Sequence, residues 1–391
     1  MGASLLIPVV PKLIATLSGG SLAGASIYGG ELAAIFAMIQ FIAAPVLGNL
    51  SDRYGRRPVL LLSMAAFGLN YLVMGFARSI AWLFLSQAFA GLFGATLATA
   101  GAYVADITPG PERAHRFGMI GAANGVGFIL GPMIGGILSS YGLRVPFFAA
   151  AAIALLNVIY GMLVLPESLA AENRRPFALA RAHVLGAFGV LRAIPGVSIL
   201  LVSILLLRLS LQTLPATWPY FAMQKFDWTP RMVGYTLGMY GAMSIVGQGM
   251  LVSRLSRWVG SRGCVAFGLT MAIVGFLGFA FAGSGWLALC FVIPSALGYM
   301  SGPTMTGMLS LMVPAERQGE LQGALASLVN LSLMVTPPVM TRLYDYYATG
   351  EAGVIFPGAP YVAAAALAIG ALVLFWPASR AIRPAAQAAR N

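Results

Sequence analysis

Long apolar stretches, interrupted by short polar or Pro/Gly-rich segments, run along the whole chain of 391 residues. A helix of about 20 apolar residues is long enough to cross the ~30 Å hydrocarbon core of a bilayer. The pattern therefore predicts twelve membrane-spanning helices, which we number spans one to twelve. They are expected at 1–17, 27–47, 59–77, 80–106, 117–139, 144–165, 196–224, 231–253, 264–283, 285–313, 320–343 and 357–377.

The longest polar break separates the first six spans from the last six. It predicts an N-terminal six-helix bundle at 1–165, a polar connector at 166–195, a C-terminal six-helix bundle at 196–377 and a tail at 378–391. The first span looks short at its amino end, so we expect part of it to lie upstream of Met1.

Composition favours an all-α polytopic membrane protein. Hydrophobic residues make up 59% of the chain and charged residues 9%, whereas a soluble domain carries about 25% charged residues. The formal net charge of +12 is spread over short loops instead of forming one basic patch, so no nucleic-acid partner is expected. Cys264 and Cys290 lie inside apolar segments and predict neither a disulfide framework nor a metal site. No cofactor is expected.

The distribution of basic residues predicts the orientation of the chain. Loops rich in Lys and Arg stay in the cytoplasm. Of the 23 Lys and Arg residues, sixteen follow even-numbered spans or lie in the connector or the tail, six lie on the opposite side, and Arg208 lies inside span seven. The even-numbered loops, the connector and the C-terminus are therefore predicted to be cytoplasmic.

The two halves carry matching segments. "LSDRYGRR" at 50–57 recurs in weaker form as "LSRWVGSR" at 255–262, an offset of 205 residues. "PGPERAHRFG" at 109–118 is echoed by "VPAERQGELQG" at 313–323, with an offset of 204 at the Glu-Arg pair. A Gly-Pro pair in span five has a Thr-Pro counterpart in span eleven. The ordered matches indicate a duplicated six-helix unit whose two copies are parallel.

A dense charged motif, "GNLSDRYGRRP", separates spans two and three. Gly48 and Gly55 permit close backbone approach and a tight turn. Asp52 is suited to cap a helix N-terminus, where a carboxylate gains about 0.3–1 kcal/mol, and Arg56 lies four residues on, within its reach. A mere topology signal would explain the arginines but neither Asp52 nor the glycines.

Span five carries a second motif, "GFILGPMIGG". Its small residues recur every three or four positions, which gives a flat helix face on which a neighbouring helix packs closely. Its proline bends the helix. The alternative is ordinary small-residue packing, which is common in membrane helices. The motif residues are Gly127, Gly131, Pro132, Gly135 and Gly136.

These motifs resemble the signatures of a known family. "GNLSDRYGRRPVLLLS" resembles the loop between spans two and three of the major facilitator superfamily, and "GFILGPMIGG" resembles the span-five signature of its drug/proton antiporters. "MGASLLIPVVPKL" and "LPATW" occupy the matching places in spans one and seven. The chain is similar over nearly its whole length to antiporters of the tetracycline-efflux type.

The resemblance implies two six-helix bundles related by a pseudo-two-fold axis, in the inner membrane of a bacterium. It implies a monomer that is not an enzyme, and whose partners are a small-molecule substrate, protons and the lipid bilayer. Its function would be proton-coupled export of small amphipathic drugs, tetracycline-like ones included, by alternating access.

The resemblance also places Asp106, at the end of span four, beside Arg56. A cluster of Asp52, Arg56 and Asp106 would latch the two halves shut on the cytoplasmic face. The residues expected in this cytoplasmic gate are Gly48, Asp52, Arg53, Gly55, Arg56, Arg57 and Asp106.

Other functions stay open at the level of the sequence. A transporter of an endogenous metabolite would share the fold, and a transport-inactive membrane sensor is a candidate from a different class. A membrane enzyme is disfavoured because the histidines, His115 and His183, both fall in loops and no catalytic motif accompanies them. A channel would more naturally carry repeated pore loops or charge rings.

Polar residues near the middle of the spans are candidates for a substrate chamber. Each by itself is readily explained as interhelical hydrogen bonding, but together they indicate a mostly apolar chamber that suits amphipathic compounds. The candidates are Gln40, Asn70, Gln87, Thr96, Thr99, Arg208, Gln212, Gln248 and Asn330. Proton coupling is expected of Glu31, Asp52 and Asp106.

Glu31 of span two and Arg208 of span seven form an unusual pair. At 1.5 Å per residue their depths in the bilayer differ by about 6 Å, which a long arginine spans. An intramembrane Arg costs at least about 2.5 kcal/mol and usually has a partner or a wet cavity. We expect the two to pair when the periplasmic side closes. The alternative is a wetted Glu31 and an Arg208 that binds anionic substrate groups by itself.

The sequence departs from the tetracycline pumps at several positions. Gln87 stands where many drug antiporters have Arg, and Asn70 stands where an Asp is expected. Ala272 replaces the acidic residue of span nine, and Ser244 lies near the place of the span-eight His. The first-span Asp would lie upstream of Met1. These departures argue against tetracycline itself as the substrate.

Overall fold

The computed structural model describes residues 1–170, 172, 174 and 196–379. Helices occupy the predicted spans, and no strand occurs among the described residues. Most of the predicted connector, and the tail beyond residue 379, lie outside the described residues. The all-α fold that the apolar pattern predicts is confirmed.

The described chain forms two compact units. One comprises the described residues up to 174 together with Trp228–Gly238, and the other comprises 196–227 and 239–379. The division follows the six-plus-six pattern of the sequence except at Trp228–Gly238, the start of span eight, which packs in the first unit.

Spans one to six form most of the first unit. Spans one and four are each divided into two helices, and the charged motif runs from the last two turns of span two, which ends at Tyr54, into the first turn of span three. The helices run Gly2–Leu6, Val10–Ser18, Leu22–Tyr54, Arg56–Phe76, Ile80–Leu92, Thr96–Ile107, Arg113–Leu138 and Val145–Val164.

Spans seven to twelve form the second half of the chain. A π-helical turn at Gly247–Leu251 interrupts span eight, and Gly260, with φ +73°, separates span eight from span nine. The helices run Val197–Phe226, Pro230–Val246, Val252–Phe281, Gly285–Leu297, Ser301–Ser310, Gln318–Ala348 and Ala359–Ala378.

Nine helices in the described part of the chain are long and apolar enough to cross a bilayer, three fewer than the twelve predicted spans. Spans one and four are too short to count because each is broken. Spans eight and nine run on as Pro230–Phe281, 52 residues long, and count as one. Helices nevertheless occur at all twelve predicted positions.

Each break has a local cause or a local compensation in the sequence. Span one breaks at Pro8, which has no N–H to donate. Span four breaks at Phe93 to Ala95, where Nε2 of Gln40 donates a hydrogen bond of 2.7 Å to the carbonyl of Gly94. No water is present in hydrocarbon to satisfy such a carbonyl, so a side chain has to do so.

Span eight begins in the first unit because small residues let it approach span five. A Cβ at Gly234 would overlap the carbonyl of Pro132. A Cβ at Gly136 would lie 2.7 Å from the carbonyl oxygen of Pro230. The two backbones therefore touch without intervening side chains, as in other close helix pairs in membranes.

We expect Gly234→Leu to destabilise the first unit by about 1–3 kcal/mol, because a larger side chain forces two packed backbones apart. Gly249→Leu is the matched control, because no described atom lies within 4 Å of a Cβ built there. Thermal unfolding of the purified protein in detergent should show a lower midpoint for the first variant alone. Equal midpoints for both variants would contradict the close packing.

Candidate functional site

A cluster of polar side chains holds the guanidinium of Arg56 where span two ends and span three begins. Nε of Arg56 donates to Oδ2 of Asp106 at 3.2 Å. Its Nη1 donates to Oγ of Ser51 at 3.1 Å and to Oδ1 of Asp52. The Arg56 side chain is only 14% exposed, which makes these charge-assisted bonds stronger than a surface ion pair. The structure thus brings together the three residues that the sequence grouped.

Two details of the charged motif differ from expectation. Asp52 lies inside the helix of span two, which continues to Tyr54, and it does not cap span three. Gly48 also lies inside this helix, and no described atom comes within 4 Å of a Cβ built there, so it makes neither a turn nor a close approach. Gly55 alone supplies the turn, with φ +104°.

Glu167, the second residue of the connector, caps span three instead. Its Oε1 accepts the backbone N–H of Arg56 at 2.8 Å, and its Oε2 accepts that of Arg57 at 3.3 Å. A carboxylate in this place satisfies two N–H groups without helical partners and interacts favourably with the helix dipole. A Cβ at Gly55 would overlap this carboxylate, so the position requires glycine for space as well as for its positive φ.

The residues on either side of Glu167 are attached to the same cluster. Oγ of Ser168 donates to Oδ2 of Asp106 at 3.2 Å, and the hydroxyl of Tyr103 donates to the carbonyl of Pro166 at 3.1 Å. Sequence reasoning missed these residues because it treated the connector as a solvated segment. The available signal was an acidic residue directly after the apolar run of span six, on the same side as the motif.

The other two arginines of the motif make separate contacts. Nη2 of Arg57 donates to the carbonyl of Met162 at 2.6 Å, in the last turn of span six. The guanidinium of Arg53 lies over the ring of Tyr54, 5.1 Å from its centroid. Neither side chain therefore takes part in holding Asp52.

The internal repeat is visible in the backbone. Gly260, 205 residues after Gly55, also has a positive φ, and each glycine precedes the first turn of a span. Arg262, 205 residues after Arg57, donates to the carbonyl of Ser379 at the end of span twelve. The two halves thus use an equivalent arginine to bind the end of their last span.

The glycines of span five pack against span one. Oγ of Ser4 donates to the carbonyl of Gly127 at 2.8 Å. A Cβ at Gly131 would overlap Ser4, and one at Gly135 would overlap the backbone of span one. The other two motif residues face span eight, as described above. The motif therefore lets one helix approach two neighbours closely.

Two polar candidates in the first unit donate hydrogen bonds to backbone carbonyls at the break in span four. Gln40 satisfies a carbonyl there, and Oγ1 of Thr96 donates to the carbonyl of Phe93 at 3.0 Å. Gln87 is half-buried and Thr99 is buried. Gln40 and Thr96 thus have structural partners that account for their polarity.

Three positions at which the chain departs from the tetracycline pumps are closed. Asn70 is 3% exposed, with Nδ2 3.8 Å from the sulfur of Met74. Ala272 is fully buried, and a Cβ at Gly298 would lie 2.7 Å from it. Ser244 is 8% exposed and donates to a carbonyl of its own helix. All three side chains are therefore buried and uncharged.

The remaining candidates lie in the second unit. Nε2 of Gln248 donates to a carbonyl one turn earlier at 3.3 Å. Arg208, Gln212 and Asn330 are half-buried. Among the described residues, no hydrogen bond links one of these four candidates to another. A group of three or more His, Cys, Asp or Glu side chains that could hold a metal ion is also absent from this part of the chain.

Glu31 and Arg208 belong to different units. Glu31 is half-buried in span two, and Arg208 is half-buried in span seven. Their pairing stays a prediction.

A cavity of about 690 Å³ opens at the end of the first unit opposite the Arg56 cluster. Spans one and five end there and span eight begins. Its lining includes Lys12, Thr16, Ser139, Thr229 and Arg231, two cations and three hydroxyl groups. No residue of the predicted site contributes to it.

The sequence profile of the Major Facilitator Superfamily matches residues 1–308 and 200–390. The tetracycline resistance protein of class C from Escherichia coli is 36% identical over 345 residues, which are 88% of this chain and 86% of that protein. Multidrug resistance protein 2 from Bacillus subtilis (strain 168) is 30% identical over 353 residues, again 88% and 86% of the two chains.

Two solved structures show the same fold. The nucleoside transporter NupG superposes with a TM-score of 0.75 at 13% identity, over 98% of this chain and 96% of its own. The human organic anion transporter MFSD10 superposes with a TM-score of 0.68 at 22% identity, over 95% of each chain. The profile match, the relatives and the fold agree: the chain belongs to the Major Facilitator Superfamily.

Proposed function

We propose that the chain exports small amphipathic drugs, tetracycline-like compounds among them, across the bacterial inner membrane in exchange for protons. Its family consists of multi-pass membrane transporters of small molecules. Tetracycline resistance proteins of classes C, H and B are 33–36% identical to it and support drug efflux. The observation that carries the proposal is the Arg56 cluster, which joins the ends of spans two, three and four.

The cluster is proposed to act as a latch on the cytoplasmic side, where the count of basic residues also puts the connector and the C-terminus. Alternating access needs an element with two discrete arrangements. An exposed ion pair contributes about 0.5 kcal/mol, and loss of one partner from a buried pair costs about 3–5 kcal/mol. The half-buried Arg56 pairs lie between these limits, so the latch holds one state and still opens during a cycle.

Proton coupling follows from the same contacts in this proposal. Asp52 and Asp106 both accept from Arg56 as carboxylates. Protonation of either carboxylate removes a charge that holds the guanidinium, so a bound proton favours the open arrangement. The latch thereby links the protonation state of the cytoplasmic side to access.

A second candidate, export of an endogenous amphipathic metabolite, is favoured by one observation. Asn70, Ala272 and Ser244 are buried and uncharged, so they do not replace the acidic and imidazole groups expected of a tetracycline pump. The same fold and latch would serve such a solute. A transport-inactive sensor would export neither a drug nor a metabolite in a vesicle assay.

Asp52→Asn is expected to slow drug-dependent dissipation of ΔpH in inverted membrane vesicles by about fivefold or more, because it weakens the latch by roughly 1 kcal/mol. The variant should reach the membrane at the wild-type level. The assay measures fluorescence of a pH-sensitive dye after addition of the drug.

Glu112→Gln is the matched control. Glu112 pairs with Arg116 at 3.8 Å, both side chains are more than half exposed, and the loop lies on the same predicted side. This variant should transport normally. Normal transport by Asp52→Asn would leave the motif as a topology signal only.

The pairing of Glu31 with Arg208 predicts coupled effects on transport. In a double-mutant cycle, Glu31→Gln and Arg208→Gln should each reduce the rate, and the double variant should lose little more than either alone. A charge swap at the two positions should restore part of the activity. Additive losses would exclude the pair.

A further inference from the structure

Arg208 is a cation in the middle of an apolar helix. It lies eleven residues after the first residue of Val197–Phe226, about 17 Å along the helix at 1.5 Å per residue. Its helix neighbours Leu207 and Leu211 are 0% and 3% exposed. A charge at this depth is expensive and normally marks a substrate or ion pathway.

Arg208 has no partner of opposite charge in its own unit. Among the described residues of the second unit, no carboxylate lies within ion-pair distance of its guanidinium. Its Nε is buried and has no hydrogen-bond acceptor in the described part of the chain. A buried N–H group without an acceptor costs about 1–3 kcal/mol, so the site is built to receive an acceptor from outside.

A glycine of span ten packs against the guanidinium, and one of a pair of contacting tyrosines precedes this glycine in the chain. A Cβ at Gly302 of span ten would lie 3.7 Å from Nη2 of Arg208, so the guanidinium lies against a stretch of helix that carries no side chain. Tyr299 lies three residues before Gly302, in the 3₁₀ turn Gly298–Met300 that leads into the same helix. Its ring meets that of Tyr240 edge to face, with centroids 5.7 Å apart.

We propose that Arg208, with Tyr240 and Tyr299, is a subsite for amphipathic organic anions that carry one carboxylate or enolate on an aromatic ring. The planar guanidinium fork matches two oxygens of such a group, which also neutralises the buried charge. The half-buried ring of Tyr299, held edge to face by the buried Tyr240, offers an aromatic surface for the attached ring. This assignment rests on the proposed function and narrows its substrate class.

Binding of two isosteric probes to the purified protein in nanodiscs tests the subsite by calorimetry. 1-Naphthoate carries the carboxylate, and 1-naphthamide is its neutral counterpart. Wild type should prefer the anion, and Arg208→Gln should weaken naphthoate binding by about tenfold or more, the usual loss for a charge-assisted pair. Arg208→Lys should lose a few-fold, because a point charge replaces the fork. Naphthamide binding should stay unchanged in both variants.

Lys225→Gln is the matched control, since it removes a cation from the same helix, where Lys225 lies over the rings of Phe221 and Phe226. It should bind naphthoate as wild type does. Equal binding of both probes by wild type would overturn the subsite. An equal loss of both probes in Arg208→Gln would also overturn it, because that result indicates a structural role.

The subsite and the proposed function fail in different experiments. Naphthoate binding that depends on Arg208, together with no drug-dependent proton movement in vesicles, would retain the subsite and reject proton-coupled efflux. The opposite result would retain the function and reject the subsite. In that case Asp52→Asn slows drug-dependent proton movement, and Arg208→Gln binds naphthoate as wild type does.

Discussion

The contacts around Arg56 join four parts of the first unit at one turn. Its side chain binds the ends of spans two and four through Asp52 and Asp106, and its backbone N–H binds Glu167 of the connector. The turn itself depends on Gly55, whose positive φ and missing side chain leave room for the Glu167 carboxylate. Any movement of these spans must break or rearrange the same few bonds, which is why a latch is proposed here.

The hydrocarbon environment explains much of the remaining polar chemistry. Where span four breaks, Gln40 donates a hydrogen bond to the carbonyl of Gly94. Where spans one, five and eight meet, glycines let the backbones touch, because apolar side chains gain little from contact with one another in lipid. Arg208 is the exception, since its Nε lacks an acceptor among the described residues, and an external anion accounts for it.

The apolar pattern predicts the positions of the helices, and the matching motifs predict the repeat, whose equivalent glycines Gly55 and Gly260 both have a positive φ. Local pattern could not reveal Glu167, because the contact joins residues more than a hundred positions apart. The sequence pattern also could not show that Trp228–Gly238 packs in the first unit. That packing depends on how closely the backbones of spans five and eight fit together. The sequence predicts Asp52 as a helix cap because the apolar run of span two ends before it, whereas the helix itself continues to Tyr54.

The role of Glu167 at the turn is tested most directly by hydrogen exchange of individual backbone amides. In Glu167→Ala, the amides of Arg56 and Arg57 should exchange about fivefold faster or more, because loss of a helix N-cap costs about 0.5–2 kcal/mol. Amides in span twelve, which belongs to the other unit, should exchange at the wild-type rate. Unchanged exchange at Arg56 and Arg57 in this variant would contradict the account.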